Sequence, residues 1–167
     1  MTVTVTVIES DPKKHSLVST MYDSPDYLDR FVAEVEPNRF ATVDEVAMAW
    51  FIEQPAWIRL ISTNTLSTQR ISDAVTAGRF ESGTSVGSWQ VIDRDDNEIV
   101  FGDDMGFMQY RFAFHLNETA DAIEAATAVK YLWPRSGRFY FTLAKPVHRR
   151  FIRFLLARTA NASGATK

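Results

Sequence analysis

The chain has 167 residues, of which 46% are apolar and 23% are charged, and these proportions exclude an intrinsically disordered chain. Its 18 basic and 21 acidic residues give a net charge of −3, which gives no general reason to expect nucleic-acid binding. Because there is no cysteine, disulfides, thiol nucleophiles and cysteine-ligated metals are excluded. Aromatic residues make up 13% of the chain, so its interior is either a ring-rich core or a ring-lined cavity.

The N-terminal region alternates threonine with valine over residues 2–7. This period of two predicts a strand whose valines face the core. Further on, Ser24-Pro25 is typical of a helix start, with the serine as N-cap and the proline in the first turn. The alternation of Phe31, Ala33 and Val35 predicts an extended segment instead, and the sequence leaves both interpretations open.

The clearest helix is predicted to begin after Thr42, because Thr42 and Glu45 form a capping box in which each side chain can satisfy a backbone N–H. Five apolar residues follow at helical spacing and predict its buried face: Val43, Val46, Ala47, Trp50 and Phe51. Pro55 then predicts the start of a second helix, which ends between Ser62 and Gly78.

An antiparallel meander is predicted from Gly83 onwards, where the apolar period changes to two. Strands are predicted at residues 88–92, 98–101, 108–116, 122–132 and 138–144, with turns at 94–97 and 102–104 and a bend at Gly137. In the 108–116 strand, large apolar residues alternate with polar or small ones, which is typical of a sheet with one buried face.

The last element is predicted to be an amphipathic helix that begins at Lys145-Pro146, with Phe151 and Leu155 on its apolar side. A sheet with one apolar face must be covered, and this helix is the best available cover. The chain is therefore predicted to be one α+β domain over residues 1–160, with a curved antiparallel sheet around a long C-terminal helix. The small, polar residues 161–167 predict a disordered tail.

Five stretches follow one another at a recognisable spacing: Gly87-Ser88-Trp89-Gln90-Val91, Val100-Phe101-Gly102-Asp103-Asp104, Tyr110-Arg111-Phe112, Gly137-Arg138-Phe139-Tyr140 and Lys145-Pro146-Val147-His148-Arg149. Together they resemble an uncharacterised bacterial family of the START-like, or SRPBCC, superfamily. The resemblance implies the helix-grip fold, with a cavity between sheet and helix that binds apolar small molecules. It implies no particular reaction, although the wider superfamily includes polyketide cyclase and dehydratase-like enzymes.

The candidate ligand site is the space between the sheet and the last helix. Its predicted lining residues are Trp89, Phe101, Tyr110, Phe112, Phe114, Phe141, His148 and Phe151. Tyr110 and His148 are the expected polar contacts. The rings either close into a solid core or leave a cavity. His148 forms a structural hydrogen bond, binds or protonates a ligand at the cavity mouth, or lies idle at the surface.

Other motifs are expected to be structural. The pattern Gly83-Thr84-Ser85-Val86-Gly87 matches a nucleophile elbow, but strand-like sequence follows where the elbow needs a helix. The acidic pairs Asp95-Asp96 and Asp103-Asp104 are interpreted as turn residues. Arg111 is expected to form a salt bridge on the outer face, with Glu98 or Asp104. The basic residues of the last helix are expected to form a solvated face rather than a membrane- or nucleic-acid-binding surface.

The leading hypothesis is a protein that binds a small hydrophobic molecule, as a monomer or homodimer, with no cofactor, no metal, no nucleic acid and no membrane partner. Three histidines at unsuitable spacing and no cysteine predict no metal site. The alternatives are a cyclase or dehydratase-like enzyme that uses His148, and a structural or interaction protein with a filled core. Without a signal-peptide pattern or a run of about 20 apolar residues, a cytoplasmic location is expected.

Overall fold

The computed structural model describes residues 5–12, 16–55, 73 and 80–162. Its strands are β1 Val7–Glu9, β2 Tyr27–Glu34, β3 Ser85–Val86, β4 Trp89–Arg94, β5 Glu98–Asp104, β6 Met108–Leu116 and β7 Ala122–Tyr131. Its helices are α1 Leu17–Thr20, α2 Val43–Glu53 and α3 Pro134–Asn161. The strands form one curved, open antiparallel sheet in the order β1-β2-β7-β6-β5-β4-β3, and α3 packs against it. The predicted α+β class, with a sheet around a long C-terminal helix, is confirmed.

The two faces of the sheet are both covered, but unequally. The inner face, which carries α2 and α3, holds the large side chains of β6, such as Phe112 and Phe114. The outer face carries the short helix α1, which the sequence did not predict, over a small cluster that includes Val18, Val100 and Ala113. The central strand β6 is therefore buried on both sides along much of its length, although its large apolar side chains all face inward.

The α2 helix forms as its capping box predicts. The Thr42 hydroxyl accepts a hydrogen bond from the backbone N–H of Glu45 at 3.4 Å, and the Glu45 carboxylate accepts one from Ala41 N at 2.8 Å. All five residues of the predicted apolar face are buried. The helix predicted after Pro55 lies outside the described residues, apart from Pro55 itself and Asp73.

The segment after Pro25 is extended, so the helical interpretation is wrong and the extended one is right. As β2, it pairs with β1 on one edge and β7 on the other, which gives its backbone N–H and C=O groups partners in the sheet. Phe31 and Ala33 are fully buried at alternate positions. At the N-terminus, Val5 and Val7 pack against the core as predicted, whereas Val3 lies outside the described residues.

The C-terminal region departs furthest from the structure that its sequence predicts. The predicted strand over 138–144, the bend at Gly137 and the helix start at Lys145-Pro146 are all wrong, because one helix runs from Pro134 to Asn161 and includes Pro146. Two residues apart in a strand, Phe139 and Phe141 would share one face, whereas in a helix they lie about 200° apart. The helix accordingly leaves Phe139 70% exposed and buries Phe141, so the spacing of the rings alone did not identify the element.

Two glycines interpreted as turn residues are instead places of close packing. A Cβ on Gly137 would lie 2.7 Å from the ring of Tyr131, so this glycine lets α3 approach the end of β7. A Cβ on Gly102 would lie 2.7 Å from the Ile92 side chain and 2.8 Å from that of Arg111. Strand β5 accordingly continues to Asp104, beyond the turn predicted at 102–104.

Candidate functional site

A buried carboxylate lies on the inner face of the sheet, beneath α3. Asp29 follows the same alternation in β2 as Phe31, and only 3% of the residue is exposed. The Tyr27 hydroxyl donates a hydrogen bond to Asp29 Oδ2 at 2.6 Å. His148 Nε2, which reaches down from α3, lies 3.2 Å from the same oxygen. Because the ionised carboxylate can only accept, the geometry assigns the proton of the imidazole to Nε2.

The second oxygen of this carboxylate has no protein partner. Asp29 Oδ1 is buried and accepts no hydrogen bond from any described residue. Thr127 lies directly opposite Asp29 on β7 and is also fully buried. The Tyr110 hydroxyl is close to the Thr127 hydroxyl, but the two do not form a hydrogen bond of good geometry. An unsatisfied buried polar group costs about 1–3 kcal/mol, so such a pair marks a place where a bound polar group is favourable.

Two tyrosines beside the carboxylate remain protonated donors at neutral pH. Burial raises the pKa of Tyr27, and the hydrogen bond to Asp29 and its negative charge raise it further. Burial also raises the pKa of Tyr110, the charge of Asp29 adds to this rise, and the neighbouring Thr127 hydroxyl partly offsets it. The site therefore combines one negative acceptor with phenolic donors.

Aromatic rings enclose the imidazole. Its centroid lies 6.2 Å from that of Tyr27, 6.1 Å from that of Tyr110 and 6.1 Å from that of Phe141. The Lys145 ammonium lies 4.8 Å from the centroid of the Tyr27 ring. A histidine that is oriented by a carboxylate and shielded by rings can bind a polar ligand group or transfer a proton to it.

A cavity of about 50 Å³ adjoins this polar cluster, between the sheet, α2 and α3. It is lined by Trp50, Phe51, Gln54, Trp89, Tyr110, Phe112, Phe151 and Ile152. Its volume is roughly a third of the ~150 Å³ apolar cavity that accommodates benzene. Tyr110 belongs both to the cavity wall and to the polar cluster, so the two are contiguous.

The structure divides the eight predicted ligand-binding residues into three groups. Four of them line the cavity: Trp89, Tyr110, Phe112 and Phe151. His148 and Phe141 lie beside the cavity, around Tyr27 and Asp29. Phe101 and Phe114 are fully buried and contact each other at a centroid distance of 5.9 Å, so they belong to a solid ring cluster. The aromatic residues therefore form a solid cluster in one part of the interior and line a small cavity in another.

Sequence reasoning missed the carboxylate at the centre of the site. Asp29 shares its strand face with Phe31 and Ala33, and a charged residue in that register was the available signal. The signal was obscured because residues 24–35 had two interpretations. Trp50 was predicted only as a core residue of α2, yet it also forms part of the cavity wall.

The remaining motifs are structural. Ser85 is exposed in β3 and pairs with Gln90 of the next strand, so the helix required by a nucleophile elbow does not follow it. Asp95 Oδ1 accepts hydrogen bonds from two backbone N–H groups of its own turn, as expected of a turn residue. The predicted salt bridge of Arg111 is wrong: its guanidinium donates to the backbone carbonyls of Asp103 and Tyr110.

A second polar cluster lies on the outer face, under α1. Arg30 donates two hydrogen bonds to the Glu124 carboxylate, at 2.8 and 2.7 Å. The Glu98 carboxylate accepts from the backbone N–H groups of Leu17 and Val18, at 2.9 and 3.0 Å. Burial raises the pKa of Glu98, and these two hydrogen bonds partly offset the rise. His115 Nδ1 lies 3.6 Å from Glu124.

The described part of the chain has neither a cluster of metal ligands nor a membrane-spanning helix. It contains no group of three or more His, Asp or Glu side chains placed to hold a metal ion. None of its helices has the length and apolar character needed to cross a bilayer.

Comparison with known proteins identifies one family. The family described as a protein of unknown function, DUF2867, matches residues 21–154, a span that includes β2, the cavity and most of α3. This chain therefore belongs to the DUF2867 family. No curated protein and no solved structure matches it.

Proposed function

We propose that this protein binds a small apolar or aromatic molecule between the sheet and α3. The observation that carries the proposal is the position of Tyr110, which joins an apolar cavity to a buried carboxylate with an unsatisfied oxygen. Rings supply the contact area, and the polar cluster supplies a single oriented anchor, as in many small-molecule sites. The resemblance to an uncharacterised bacterial family of the START-like superfamily, whose cavity usually binds apolar small molecules, supports the same function. We propose that the protein performs it in the cytoplasm.

The chemistry of the anchor restricts the ligand. Asp29 Oδ1 is an acceptor, so it favours a ligand that presents a hydroxyl or amine proton. The Tyr110 phenol is held protonated and can donate to an oxygen of the same ligand. We therefore expect a compact ring-containing molecule with one or two adjacent polar groups, rather than a fully saturated hydrocarbon.

The size of the cavity requires an adjustment on binding. About 50 Å³ does not hold an aromatic ring, so neighbouring side chains must move outward. Trp89 and Phe151 are only partly buried, and both line the cavity. Their displacement exposes the rest of the cavity without disturbing the fully buried rings of Phe101 and Phe114.

A ligand screen tests the proposal. Thermal shift and tryptophan fluorescence are measured with lipids, aromatic polyketides and hydrophobic dyes, for the wild type and for Trp89→Ala and Asp29→Asn. We expect ligands that raise the wild-type Tm and bind both variants more weakly. Met105→Ala is the control, because this apolar residue is exposed and lies outside the cavity. If no compound in the panel binds, the structural or interaction role is favoured instead.

The hydrogen bond between Asp29 and His148 favours a second candidate, an acid–base enzyme of the cyclase or dehydratase kind. A carboxylate that orients an imidazole is a common arrangement for proton transfer. Once a ligand is known, its conversion is followed by mass spectrometry with the wild type and with His148→Gln. Turnover that disappears in the variant while binding persists supports the enzyme, and an unchanged ligand with the wild type argues for binding alone.

A further inference from the structure

The solvent side of α3 carries a row of large apolar side chains. Phe139, Leu143 and Val147 recur at every fourth position and are 70%, 63% and 69% exposed. Tyr140 and Phe154 lie on the same side, at 44% and 45% exposure. We call these five residues the outer stripe. Isolated exposed apolar residues are ordinary, but a contiguous row of this length on one helix marks an interaction surface.

The same helix is strongly basic. Seven of the chain's 18 basic residues, and none of its 21 acidic residues, lie in α3. Three of the seven form ion pairs with the rest of the protein: Arg149 and Arg153 share Glu9, and Arg158 pairs with Glu53. Arg135, Arg138 and Arg150 are exposed and form no ion pair with any described residue.

Helix stability does not account for these unpaired arginines. Arg135 lies in the first turn of α3 and Arg138 immediately after it, where positive charge interacts unfavourably with the helix dipole. Helical spacing places Arg150 among the residues of the outer stripe, Arg135 at the edge of the stripe and Arg138 about 100° to the side of Phe139. The arginines therefore lie within and beside the apolar row, which is suited to a partner with negative charge and an apolar interior.

We propose that α3 binds to an anionic lipid surface, with the outer stripe at the boundary between headgroups and acyl chains and the three unpaired arginines on the phosphates. Basic helices with aromatic and aliphatic residues on one face bind membranes in this orientation. A second copy of the chain would bring two sets of unpaired arginines together. A nucleic acid would leave Phe139, Leu143 and Val147 in water.

This inference goes beyond ligand binding in the cavity and departs from the expectation of no membrane partner. Trp133, 65% exposed just before the first turn, adds an interfacial aromatic residue at the end of the same surface.

The test is flotation with lipid vesicles of phosphatidylcholine alone and of phosphatidylcholine mixed with phosphatidylglycerol. We expect the wild type to bind only the mixed vesicles, and less strongly as salt is raised. The combined variant Arg135→Gln, Arg138→Gln, Arg150→Gln should bind on the order of a hundredfold more weakly, because each arginine near the surface contributes roughly fivefold. The combined variant Phe139→Ser, Leu143→Ser, Val147→Ser should lose binding to a similar extent.

Matched controls separate this surface from general effects. Met105→Ser removes an exposed apolar residue elsewhere, and Arg158→Gln removes a charge from the same helix that already pairs with Glu53. Both should bind mixed vesicles as the wild type does. Circular dichroism and Tm verify that every variant folds, which is expected because the changed side chains lie in solvent.

Four results would overturn the proposal. They are an absence of wild-type binding to the mixed vesicles, undiminished binding by the serine variant, tighter binding to a nucleic-acid duplex than to lipid, and a dimer that the serine variant dissociates without any vesicle binding. None of these depends on the cavity. Ligand binding by the serine variant, measured separately, should equal that of the wild type.

Discussion

The two faces of the sheet each bury carboxylates, but only those of the outer face have a protein hydrogen-bond donor on both oxygens. On the outer face, Arg30 forms two hydrogen bonds to Glu124, and Glu98 accepts two from the backbone of α1. On the inner face, Asp29 Oδ2 accepts hydrogen bonds from Tyr27 and His148, while Asp29 Oδ1 accepts none from any described residue.

This difference distinguishes a structural cluster from a candidate site better than burial does. Asp29 and Glu98 are equally buried, at 3% exposure each, so depth alone does not separate them. The outer cluster attaches α1 to the sheet, and the cavity that it lines holds only about 10 Å³. The inner cluster adjoins the larger cavity and retains an acceptor that a ligand can use.

The largest expected effect comes from breaking the buried ion pair of the outer face. Arg30→Met leaves the Glu124 carboxylate buried without its main partner, and we expect a loss of about 3–5 kcal/mol in the free energy of unfolding. Arg94→Met, which breaks the more exposed ion pair with Asp44, should cost about 1 kcal/mol or less. Urea denaturation of both variants measures the difference. Equal losses in the free energy of unfolding would show that burial of the Arg30–Glu124 pair does not increase its contribution to stability.

A smaller effect is expected at the inner carboxylate. Asp29→Asn keeps the shape but removes the charge, and we expect a loss of about 1–2 kcal/mol, because a hydrogen bond to a charged group weakens. It should also lower the pKa of Tyr27, which the hydrogen bond and charge of Asp29 now raise. Ultraviolet titration of the phenols measures this change. Glu124→Gln, on the other face, should leave the Tyr27 titration as it is in the wild type.

A third change removes only a hydroxyl from the inner site. Tyr110→Phe should cost about 0.5–1.5 kcal/mol or less, because its phenol has no strong partner beyond Thr127. The same change should weaken ligand binding more than it weakens folding. Tyr140→Phe, on the outside of α3, should change stability by less than about 0.5 kcal/mol. If ligand affinity is identical in Tyr110→Phe and the wild type, Tyr110 is a wall residue only.

The smallest effect is a pH dependence confined to the outer face. Because burial raises the folded-state pKa of Glu98 above 4.5, the folded protein binds its proton more tightly than the unfolded chain does. Its contribution to stability is therefore greatest below pH 4.5 and decreases as pH rises through the folded-state pKa. Denaturation over this interval, in the wild type and in Glu98→Gln, should show a steeper loss of stability with rising pH in the wild type than in the variant.

Strong periodicity and local chemistry made several elements predictable. The capping box located α2, and the alternation in β6 identified both its limits and its inward face. Weak or short patterns failed: residues 27–34 carried two interpretations, and residues 138–144 were assigned to the wrong element. In each case the deciding contacts lie in distant strands, which local patterns do not contain.

The sequence by itself determined the α+β class, the one-sided aromatic strand and the terminal helix that covers it, because each depends on the spacing of neighbouring residues. Only the tertiary structure decided where that helix begins. Because Gly137 has no side chain, the first turn of α3 packs closely on Tyr131, and the helix can begin at Pro134, directly after β7. It also decided the candidate site, because Asp29 and His148 are separated by 119 positions in the chain. Their contact arises from the sheet order, in which β2 lies beside β7, and no local pattern specifies that neighbour.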